Sequence, residues 1–525
     1  MLMKCIRFKR YLAIGIVSCA TTAIAQAQDV LTAEYTNGRT NANNYELHLN
    51  PLRVNSSMFG KIGTWALDGQ VVAQPLYVPG VKVGRSTVNA LYVATMNNSV
   101  YALDADHPGS APLWNINLGS PVPQSYEGKC PANFAVGAQL GILSTPVIDN
   151  VSSTIYVVAA NPVPNQAAYG FTLYALDLGT GQQKLGGSVP ISASVKGTGS
   201  GSVNGIVSMG QINLLQRPAL LLSAGNVYIG FGACGYSLSP SHGWVIGYNA
   251  QNIQKQTVVF NTTPNGDMGG IWQAGAGLSA DVRGSVYAGV GNGSTDEQTN
   301  FGESVVKLSP GGILRDYFTP SNTAMLTSLD EDLSVTPPIL TGDTNLLITA
   351  GKQGLVYVLN ASSLGGVGNF VQTFWGTTEC DPVSYNGCNK IHSLAYWRAN
   401  DEYRLYVWGV GDTLRAYGYS GGMFDPMPES QTTDTCTYPG GTLTVTSAWG
   451  MPGTGIVWAL TPGVLHAYQA TNVANELWNS NQNAQRDALP GSFHFEQFTV
   501  ANGKVYVPDF QKEIVVYGLL PAQSK

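Results

Sequence analysis

Charged side chains are scarce in this sequence, and the scarcity excludes several classes of protein. Only 11% of the 525 residues are Asp, Glu, Lys or Arg, against roughly 25% in an average soluble domain. Helical bundles and coiled coils need many more charges on their exposed faces. A nucleic-acid-binding protein needs a basic surface, whereas this chain carries a net charge of −6. We therefore expect an acidic, strand-rich protein with no nucleic-acid partner.

Cysteine and histidine are also few, and their spacing supports none of the common metal or haem motifs. The seven cysteines and six histidines form no C-x-x-C, C-x-x-C-H or H-x-x-x-H motif, so neither a zinc site nor a covalent haem is indicated. Cys380 and Cys388 lie close together in a polar loop and would pair locally in an oxidising compartment. Five cysteines follow residue 25, an odd number, so at least one thiol is left over if the others pair.

Long apolar runs are absent after the N-terminus, so we expect no transmembrane span. Residues 4–10 are basic, residues 11–25 are mostly apolar, and A-x-A sites end at Ala25 and Ala27. This order is typical of a secretory signal. We predict that residues 1–25 are removed and that the protein is periplasmic or extracellular. The alternative is lipid anchoring at Cys19, which the short apolar run before that residue disfavours.

Glycine and tyrosine are abundant, with 62 and 26 residues, and many of them lie in a repeated pair of short apolar strands. The pairs recur roughly 50 to 70 residues apart, a period typical of propellers. Eight of them align on the following residues of the first strand: Tyr92, Tyr156, Tyr228, Tyr287, Ile348, Tyr406, Val457 and Tyr506.

This repeat predicts an all-β, eight-bladed β-propeller, because a small sheet cannot bury both faces alone and must stack around an axis. The last unit stops after its third strand, and residues 63–67 look like its missing fourth strand. Strands from both termini would then close the ring and remove its open edge. We predict an N-terminal extension over 26–60, a single propeller over 61–520 and a tail over 521–525. Two separate β domains are disfavoured, because no linker interrupts the repeat.

One unit carries a more specific motif. Residues 175–185, ALDLGTGQQKL, resemble the A-x-D-x-x-T-G-x-x-x-W repeat of the quinoprotein dehydrogenases, eight-bladed propellers that bind pyrroloquinoline quinone (PQQ). The Thr-Gly pair makes a tight turn between two strands. The Trp of the motif is Leu185 here, although Trp114 lies near the equivalent place in the first unit. The repeat also occurs in non-catalytic propellers such as the outer-membrane assembly lipoprotein, so the resemblance implies the fold more strongly than an activity.

The same resemblance implies a cofactor site. Trp272 follows a Gly-Gly pair, like the Trp that stacks under the quinone, and Asn292 lies in a G-N-G-S strand end, like the Asn that coordinates Ca²⁺. Asp330 and Asp332 match a D-x-D motif, in which the first residue is the catalytic base and the second is the extra ligand of lanthanide-using members. Lys352 precedes G-L-V-Y-V-L, like the basic residue that contacts the quinone. The cofactor implied is PQQ with Ca²⁺ or a lanthanide, whose cation polarises the quinone carbonyl while the carboxylate accepts a proton.

Other parts of that family's site are missing from this sequence. The metal-binding Glu of a G-A-E-x-G stretch is Cys234 here, and the vicinal cysteine pair that covers the cofactor is reduced to Cys130. The Arg that follows this pair has no counterpart. Because both positions lie on the same face of the family's ring, the resemblance implies a Cys130–Cys234 disulfide across the axial mouth. The alternative is that both cysteines are free or paired elsewhere.

Each retained residue also has a purely structural interpretation. Trp272 would fill a blade interface, Asn292 a turn, Asp330 and Asp332 would cap a loop, and Lys352 would be a solvated cation at a strand end.

Two functions from different classes follow. The first is an exported propeller with a partly eroded site that acts as a binding or scaffolding module for a glycan, peptide or envelope-protein partner. The second is a PQQ- and Ca²⁺- or lanthanide-dependent dehydrogenase of alcohols or sugars. Loss of one carboxylate from a site with few charged ligands weakens cation binding. This loss favours the binding or scaffolding module over the dehydrogenase. In either case we expect a monomer.

Overall fold

Four-stranded antiparallel sheets repeat along the chain in the computed structural model, which describes residues 28–123, 139–164, 168–210, 214–233, 239–380, 388–491 and 495–521. The predicted export signal, Cys130 and Cys234 lie outside these residues. Eight of the sheets form the blades of a propeller ring, so the predicted fold class is confirmed. None of the helices among the described residues is long and apolar enough to cross a membrane.

The first four blades follow one another in chain order. Blade 1 contains Leu76–Val83, Ser86–Ala94, Ser99–Asp104 and Trp114–Asn117. Blade 2 contains Val147–Asp149, Thr154–Pro162, Tyr169–Asp177 and Val189–Pro190. Blade 3 contains Leu214–Leu215, Leu221–Ser223, Asn226–Ala233, Trp244–Asn249 and Asn252–Asn261. Blade 4 contains Ser279–Ala280, Val286–Val290, Ser304–Leu308 and Leu314–Thr319.

The second half of the ring continues in the same way. Blade 5 contains Ile339–Leu340, Leu346–Ala350, Leu355–Asn360 and Gln372–Trp375. Blade 6 contains Leu394–Ala399, Glu402–Trp408, Thr413–Ser420, Met423–Phe424 and Ser430–Thr435. Blade 7 contains Thr442–Thr446, Ile456–Thr461, Val464–Gln469 and Asn472–Asn479. Blade 8 contains Thr499–Ala501, Lys504–Pro508, Glu513–Leu519 and the N-terminal strand Phe59–Ala66.

Blade 8 closes the ring with strands from both ends of the chain. Phe59–Ala66 pairs antiparallel with Glu513–Leu519, with Phe59 opposite Leu519 and Ala66 opposite Glu513. The predicted fourth strand is therefore present, and it pairs the edge that blade 8 would otherwise leave open.

The remaining elements are short. Ala42–Asn43 adds a parallel strand to blade 7, and Gly366–Val367 adds one to the outer strand of blade 4. The other strands form two small hairpins: Val122–Pro123 with Gln139–Leu140, and Ser194–Lys196 with Ile206–Ser208. The described helices are Thr323–Leu329, Ala484–Asp487 and the 3₁₀ turns Gln273–Gly275, Leu333–Val335 and Pro452–Thr454.

The aligned tyrosines explain why the repeat carries that residue. At six of the eight aligned positions the hydroxyl donates to a backbone carbonyl of the next blade, just after that blade's third strand or the turn that follows it. The acceptors are Leu178 for Tyr92, Ala250 for Tyr156, Pro310 for Tyr228, Ala361 for Tyr287, Ala470 for Tyr406 and Ala105 for Tyr506. Each ring is buried between two blades, so one residue type supplies both apolar area and an oriented hydrogen bond.

Residues 30–43, here called the N-terminal clasp, encircle one end of the propeller axis. The clasp forms hydrogen bonds with the first strand of every blade in turn, at distances of 2.7 to 3.1 Å. In blade 3 that position is shared by Leu214–Leu215 and Leu221–Ser223, which pair with the same strand, and the clasp contacts the latter. The partners from blade 1 to blade 8 are Tyr77, Ile148, Leu222, Ala280, Leu340, Tyr396, Val445 and Val500. Only the innermost strands of a propeller converge on its axis, so the clasp identifies the first strand of each blade as the inner one and covers that end.

Candidate functional site

The site residues carried over from the resemblance lie at the end of blades 4 and 5 opposite the clasp. Asn292 follows Val286–Val290, and Lys352 follows Leu346–Ala350. Asp330 ends the helix Thr323–Leu329 with a φ of 56°, and Asp332 precedes the turn Leu333–Val335. The left-handed backbone at Asp330 turns the chain, and both carboxyl groups lie near the ends of these two strands, the second strands of blades 4 and 5.

Lys352 lies between the two aspartates. Its Nζ is 2.8 Å from Asp330 Oδ2 and in direct contact with Asp332 Oδ2. The Lys352 side chain is only 15% exposed, and its backbone N–H donates to the Asp332 carbonyl at 3.0 Å. The interpretation of Lys352 as a solvated strand-end cation is therefore wrong.

Asn292 completes this cluster from blade 4. Its side-chain Nδ2 donates to Asp330 Oδ1 at 2.7 Å, and its backbone N–H donates to Asp332 Oδ1 at 3.0 Å. All four carboxylate oxygens of the two aspartates therefore accept a hydrogen bond or an ion pair from Asn292 or Lys352. We call these four residues the aspartate–lysine cluster.

The two aspartates differ in their electrostatics. Burial raises the pKa of the Asp330 carboxyl, Asp332 raises it further, and Lys352 only partly opposes the rise. Burial acts in the same direction on Asp332, but the charge of Lys352 and the hydrogen bonds from Lys352 and Asn292 outweigh it and hold that pKa below its usual value. Burial alone would lower the pKa of Lys352, but the two carboxylates raise it instead, so the amine is charged at neutral pH.

Two acidic residues beside this cluster were missed by sequence reasoning. Glu303 is fully buried and accepts a hydrogen bond from Leu333 N–H at 2.8 Å. Burial, reinforced by the charge of Asp332, raises its pKa well above the usual value. Glu331 is 1% exposed, and burial raises its pKa to about 7 against the opposing charges of Lys390 and Lys352. Glu303 lies in no sequence motif, and Glu331 is only the unspecified middle residue of the D-x-D motif, so neither gave a signal in the sequence.

Trp272 lies in the segment before blade 4, whose backbone is hydrogen-bonded to Asn292. It packs against an apolar cluster formed by residues of the first three blades: Val72, Met96, Leu143 and Leu215. The glycines before it permit a close backbone approach, since Gly269 N–H donates to the Asn292 carbonyl at 2.7 Å and Gly291 N–H to the Gly270 carbonyl at 2.9 Å. These bonds tie the Trp272 segment directly to Asn292.

Arg217 links blade 3 to the segment that leads into blade 8. It is buried on blade 3, and its Nη2 donates to the Phe495 carbonyl of the segment that leads into blade 8, at 2.7 Å. Gly275 makes room for the guanidinium, because a Cβ at that position would lie 2.1 Å from Nη1. The end of the ring opposite the clasp, which carries the Trp272 segment and the aspartate–lysine cluster, is here called the mouth.

Cys380 and Cys388 form a disulfide with a Cα–Cα distance of 5.1 Å, the local pairing that their spacing allowed. The Cys380 sulfur lies 3.5 Å from the carbonyl of Gln353, the residue after Lys352. Among the described cysteines Cys436 is free and buried. The predicted pair Cys130–Cys234 lies outside the described residues and stays a prediction.

Several solved structures share this architecture. A quinohemoprotein alcohol dehydrogenase from Comamonas testosteroni is 13% identical, with a TM-score of 0.60 over 95% of this chain and 81% of its own. A second one, from Pseudomonas putida HK5, is 15% identical, with a TM-score of 0.57 over 95% and 82%. A europium-containing methanol dehydrogenase is 12% identical, with a TM-score of 0.56 over 94% and 98%.

The fold is that of the quinoprotein alcohol dehydrogenases. At such low identity the likeness shows the fold alone. No protein-family model matches the sequence, and no curated protein matches it either.

Within this quinoprotein fold, the donor set of the cluster does not fit a calcium or lanthanide ion. Ca²⁺ takes about six to eight oxygen ligands, whereas both aspartates are already engaged by Lys352 and Asn292. Asn292 Oδ1 is the one cluster oxygen with no hydrogen-bond partner among the described residues. Those residues also contain no group of three His, Cys, Asp or Glu side chains arranged to hold a metal.

Proposed function

We propose that this protein is an exported quinoprotein-like propeller with a partly eroded cofactor site, which binds a glycan, a peptide or an envelope protein. The observation that carries the proposal is the saturation of Asp330 and Asp332 by Lys352 and Asn292. A metal-assisted quinone reaction needs oxygen ligands free for the cation. The loss of the family's metal-binding Glu, replaced by Cys234, supports the same conclusion.

Export follows from the basic, apolar and small-residue order of residues 1–27. The end of the ring opposite the clasp carries the partly buried Trp272 and the charged groups of the aspartate–lysine cluster. A half-covered aromatic ring beside charged groups is a common feature of ligand-binding sites. We therefore place the binding surface at this mouth.

The alternative is a PQQ-dependent dehydrogenase of alcohols or sugars that uses Ca²⁺ or a lanthanide. One observation favours it: Asp330 contacts both Asn292 and Lys352, and Asn292 is hydrogen-bonded to the Trp272 segment. Asp330 would be the general base, because a catalytic carboxylate must lie within hydrogen-bond reach of the proton it accepts. When bound, PQQ would supply the hydride acceptor.

Titration of the purified mature protein with PQQ distinguishes the two functions. Absorbance and calorimetry are recorded with Ca²⁺, with La³⁺ and without metal. We expect no binding at tens of micromolar PQQ under any of the three conditions. Tight, metal-dependent binding that Asp330→Ala and Trp272→Ala both abolish would overturn the proposal in favour of the dehydrogenase. Two variants away from the site are matched controls. Asp401→Ala changes an aspartate in an exposed hairpin, and Trp449→Ala removes a ring that packs on Tyr45.

A further inference from the structure

Every carboxylate oxygen of the aspartate–lysine cluster has a partner without any added ion. Lys352 donates to one oxygen of each aspartate, and Asn292 donates to the other oxygen of each. The side chains of Asp330, Asp332 and Lys352 are 10%, 17% and 15% exposed. A divalent cation would have to displace the ammonium, break these contacts and lose most of its hydration.

We propose that the ammonium of Lys352 is the permanent cation of this mouth, and that it masks a latent cation site formed by Asp330, Asp332 and the side-chain oxygen of Asn292. The inference deepens the proposed function and rests on it, because it explains how a quinoprotein-like mouth stays folded with no metal. The native chain then takes no Ca²⁺ or lanthanide at this position. Removal of the ammonium exposes the site.

The chemistry of the cluster supports both claims, that Lys352 is the permanent cation and that its removal exposes a cation site. Two carboxylates that face one ammonium are stable only while the positive charge is present, because like charges in a poorly solvated site repel strongly. Without Lys352 the same oxygens form a hard, anionic ligand set of the kind that Ca²⁺ and lanthanides prefer. Asn292 Oδ1 adds a neutral ligand oxygen, which has no hydrogen-bond partner within the described part of the chain.

The decisive variant is Lys352→Met, which keeps the length of the side chain and removes its charge. Thermal unfolding is measured with no metal, with millimolar Ca²⁺ and with La³⁺, and Tb³⁺ emission is measured under tryptophan excitation. We expect the native protein to show no metal-dependent shift and no Tb³⁺ emission from this mouth. For Lys352→Met we expect a lower Tm without metal, a rise of about 5 °C on addition of Ca²⁺ or La³⁺, and Tb³⁺ emission that Ca²⁺ competes away.

Three controls separate the latent site from general effects. Lys352→Arg keeps the positive charge and should show no metal response. Lys390→Met removes a neighbouring buried lysine and should also show none. The triple variant Lys352→Met, Asp330→Asn, Asp332→Asn should lose the response that Lys352→Met gains, because its carboxylates are gone.

Two results would overturn the inference. One is a native protein whose Tm rises with Ca²⁺ and whose Tb³⁺ emission disappears in Asp332→Asn, since the metal would then bind beside an intact Lys352. The other is a Lys352→Met variant, folded by circular dichroism, that responds to no metal. If that variant does not fold, Lys352→Gln takes its place, and the measurement on the native protein stands by itself. PQQ binding without metal would refute the proposed function and leave this inference intact.

Discussion

Asp330 and Asp332 are two residues apart and both largely buried, yet the pKa values of their carboxyl groups move in opposite directions. Both lose hydration and both accept an N–H from Asn292, but Asp332 has the closer contact with Lys352, whose charge outweighs the effect of burial there. Asp330 keeps a net rise from burial and from the charge of Asp332. In linkage terms ionised Asp332 stabilises the fold above its usual pKa, while ionised Asp330 costs stability there. The ammonium of Lys352 therefore stabilises the ionised form of Asp332 more than that of Asp330.

Trp114 is a second residue whose neighbour decides its role. Its Nε1 donates to the Leu178 carbonyl of blade 2 at 2.9 Å. Its ring lies over Gly181, where an added Cβ would come within 2.7 Å. This contact joins blade 1 to blade 2 through the Thr-Gly turn that the resemblance singled out.

We predict that Trp114→Ala lowers the free energy of unfolding by about 2–3 kcal/mol, somewhat less than for a fully buried Trp. Urea unfolding followed by circular dichroism checks this value. Trp449→Ala is the control, because Trp449 is 57% exposed and should change the stability by less than about 0.5 kcal/mol. Equal losses of stability in the two variants would contradict the role of Trp114 in joining blade 1 to blade 2.

At the scale of the element, each blade depends on its neighbours for burial. The strand Val286–Val290 is buried along its whole length, because both faces of blade 4 pack against other blades. One hydrophobic cluster, for example, joins Leu221 and Tyr228 of blade 3 to Val286 and Ala288 of blade 4. This explains why the strands read as continuous apolar runs rather than as an alternating pattern.

We predict that Tyr406→Phe destabilises the protein by about 1 kcal/mol, because it removes the hydroxyl that donates to the Ala470 carbonyl at 2.7 Å. The ring keeps its packing, so the loss isolates the hydrogen bond between blades 6 and 7. Chemical denaturation at neutral pH measures it, with Tyr45→Phe as the control, since Tyr45 is 47% exposed. A neutral Tyr406→Phe would mean that the repeat tyrosines act through their apolar area alone.

At the scale of the whole molecule, ring closure depends on the strand Phe59–Ala66 and on the clasp. The clasp binds all eight inner strands, so its contacts oppose the opening of any blade interface. Inside the clasp, Arg39 donates to the Leu220 and Leu278 carbonyls, while Glu34 is 1% exposed. Burial raises the pKa of Glu34 to about 8, although the charge of Arg39 opposes the rise.

We predict that this glutamate makes the protein less stable as the pH rises. In the unfolded chain the Glu34 carboxyl ionises near its usual pKa of 4.5, whereas in the folded protein it stays protonated up to about 8. Between these values the folded state binds more protons, so its stability falls by up to about 1.4 kcal/mol per pH unit. Glu34→Gln should remove this dependence and raise Tm at pH 8 more than at pH 5. The prediction is contradicted if the difference in Tm between Glu34→Gln and the native protein is the same at pH 5 and pH 8.

The sequence by itself determined the number of blades and the ring closure, because both depend on local periodicity. The repeat period defined eight units, and the truncated last unit required a partner strand from the N-terminus. The grouping of Trp272, Asn292, Asp330 and Lys352 at one site was instead implied by their resemblance to the residues of the quinoprotein dehydrogenases, which occur in the same order.

Only the tertiary structure decided what those side chains bind. Lys352 forms ion pairs with the two aspartates instead of projecting into solvent, because the segment before blade 5 brings residues 330–332 to the end of Leu346–Ala350, the second strand of that blade. The clasp could not be inferred either, since residues 30–43 carry no repeat and their partners are spread over all eight blades. Ion pairs and backbone contacts of this kind depend on distances between residues far apart in the chain, which a local pattern does not encode.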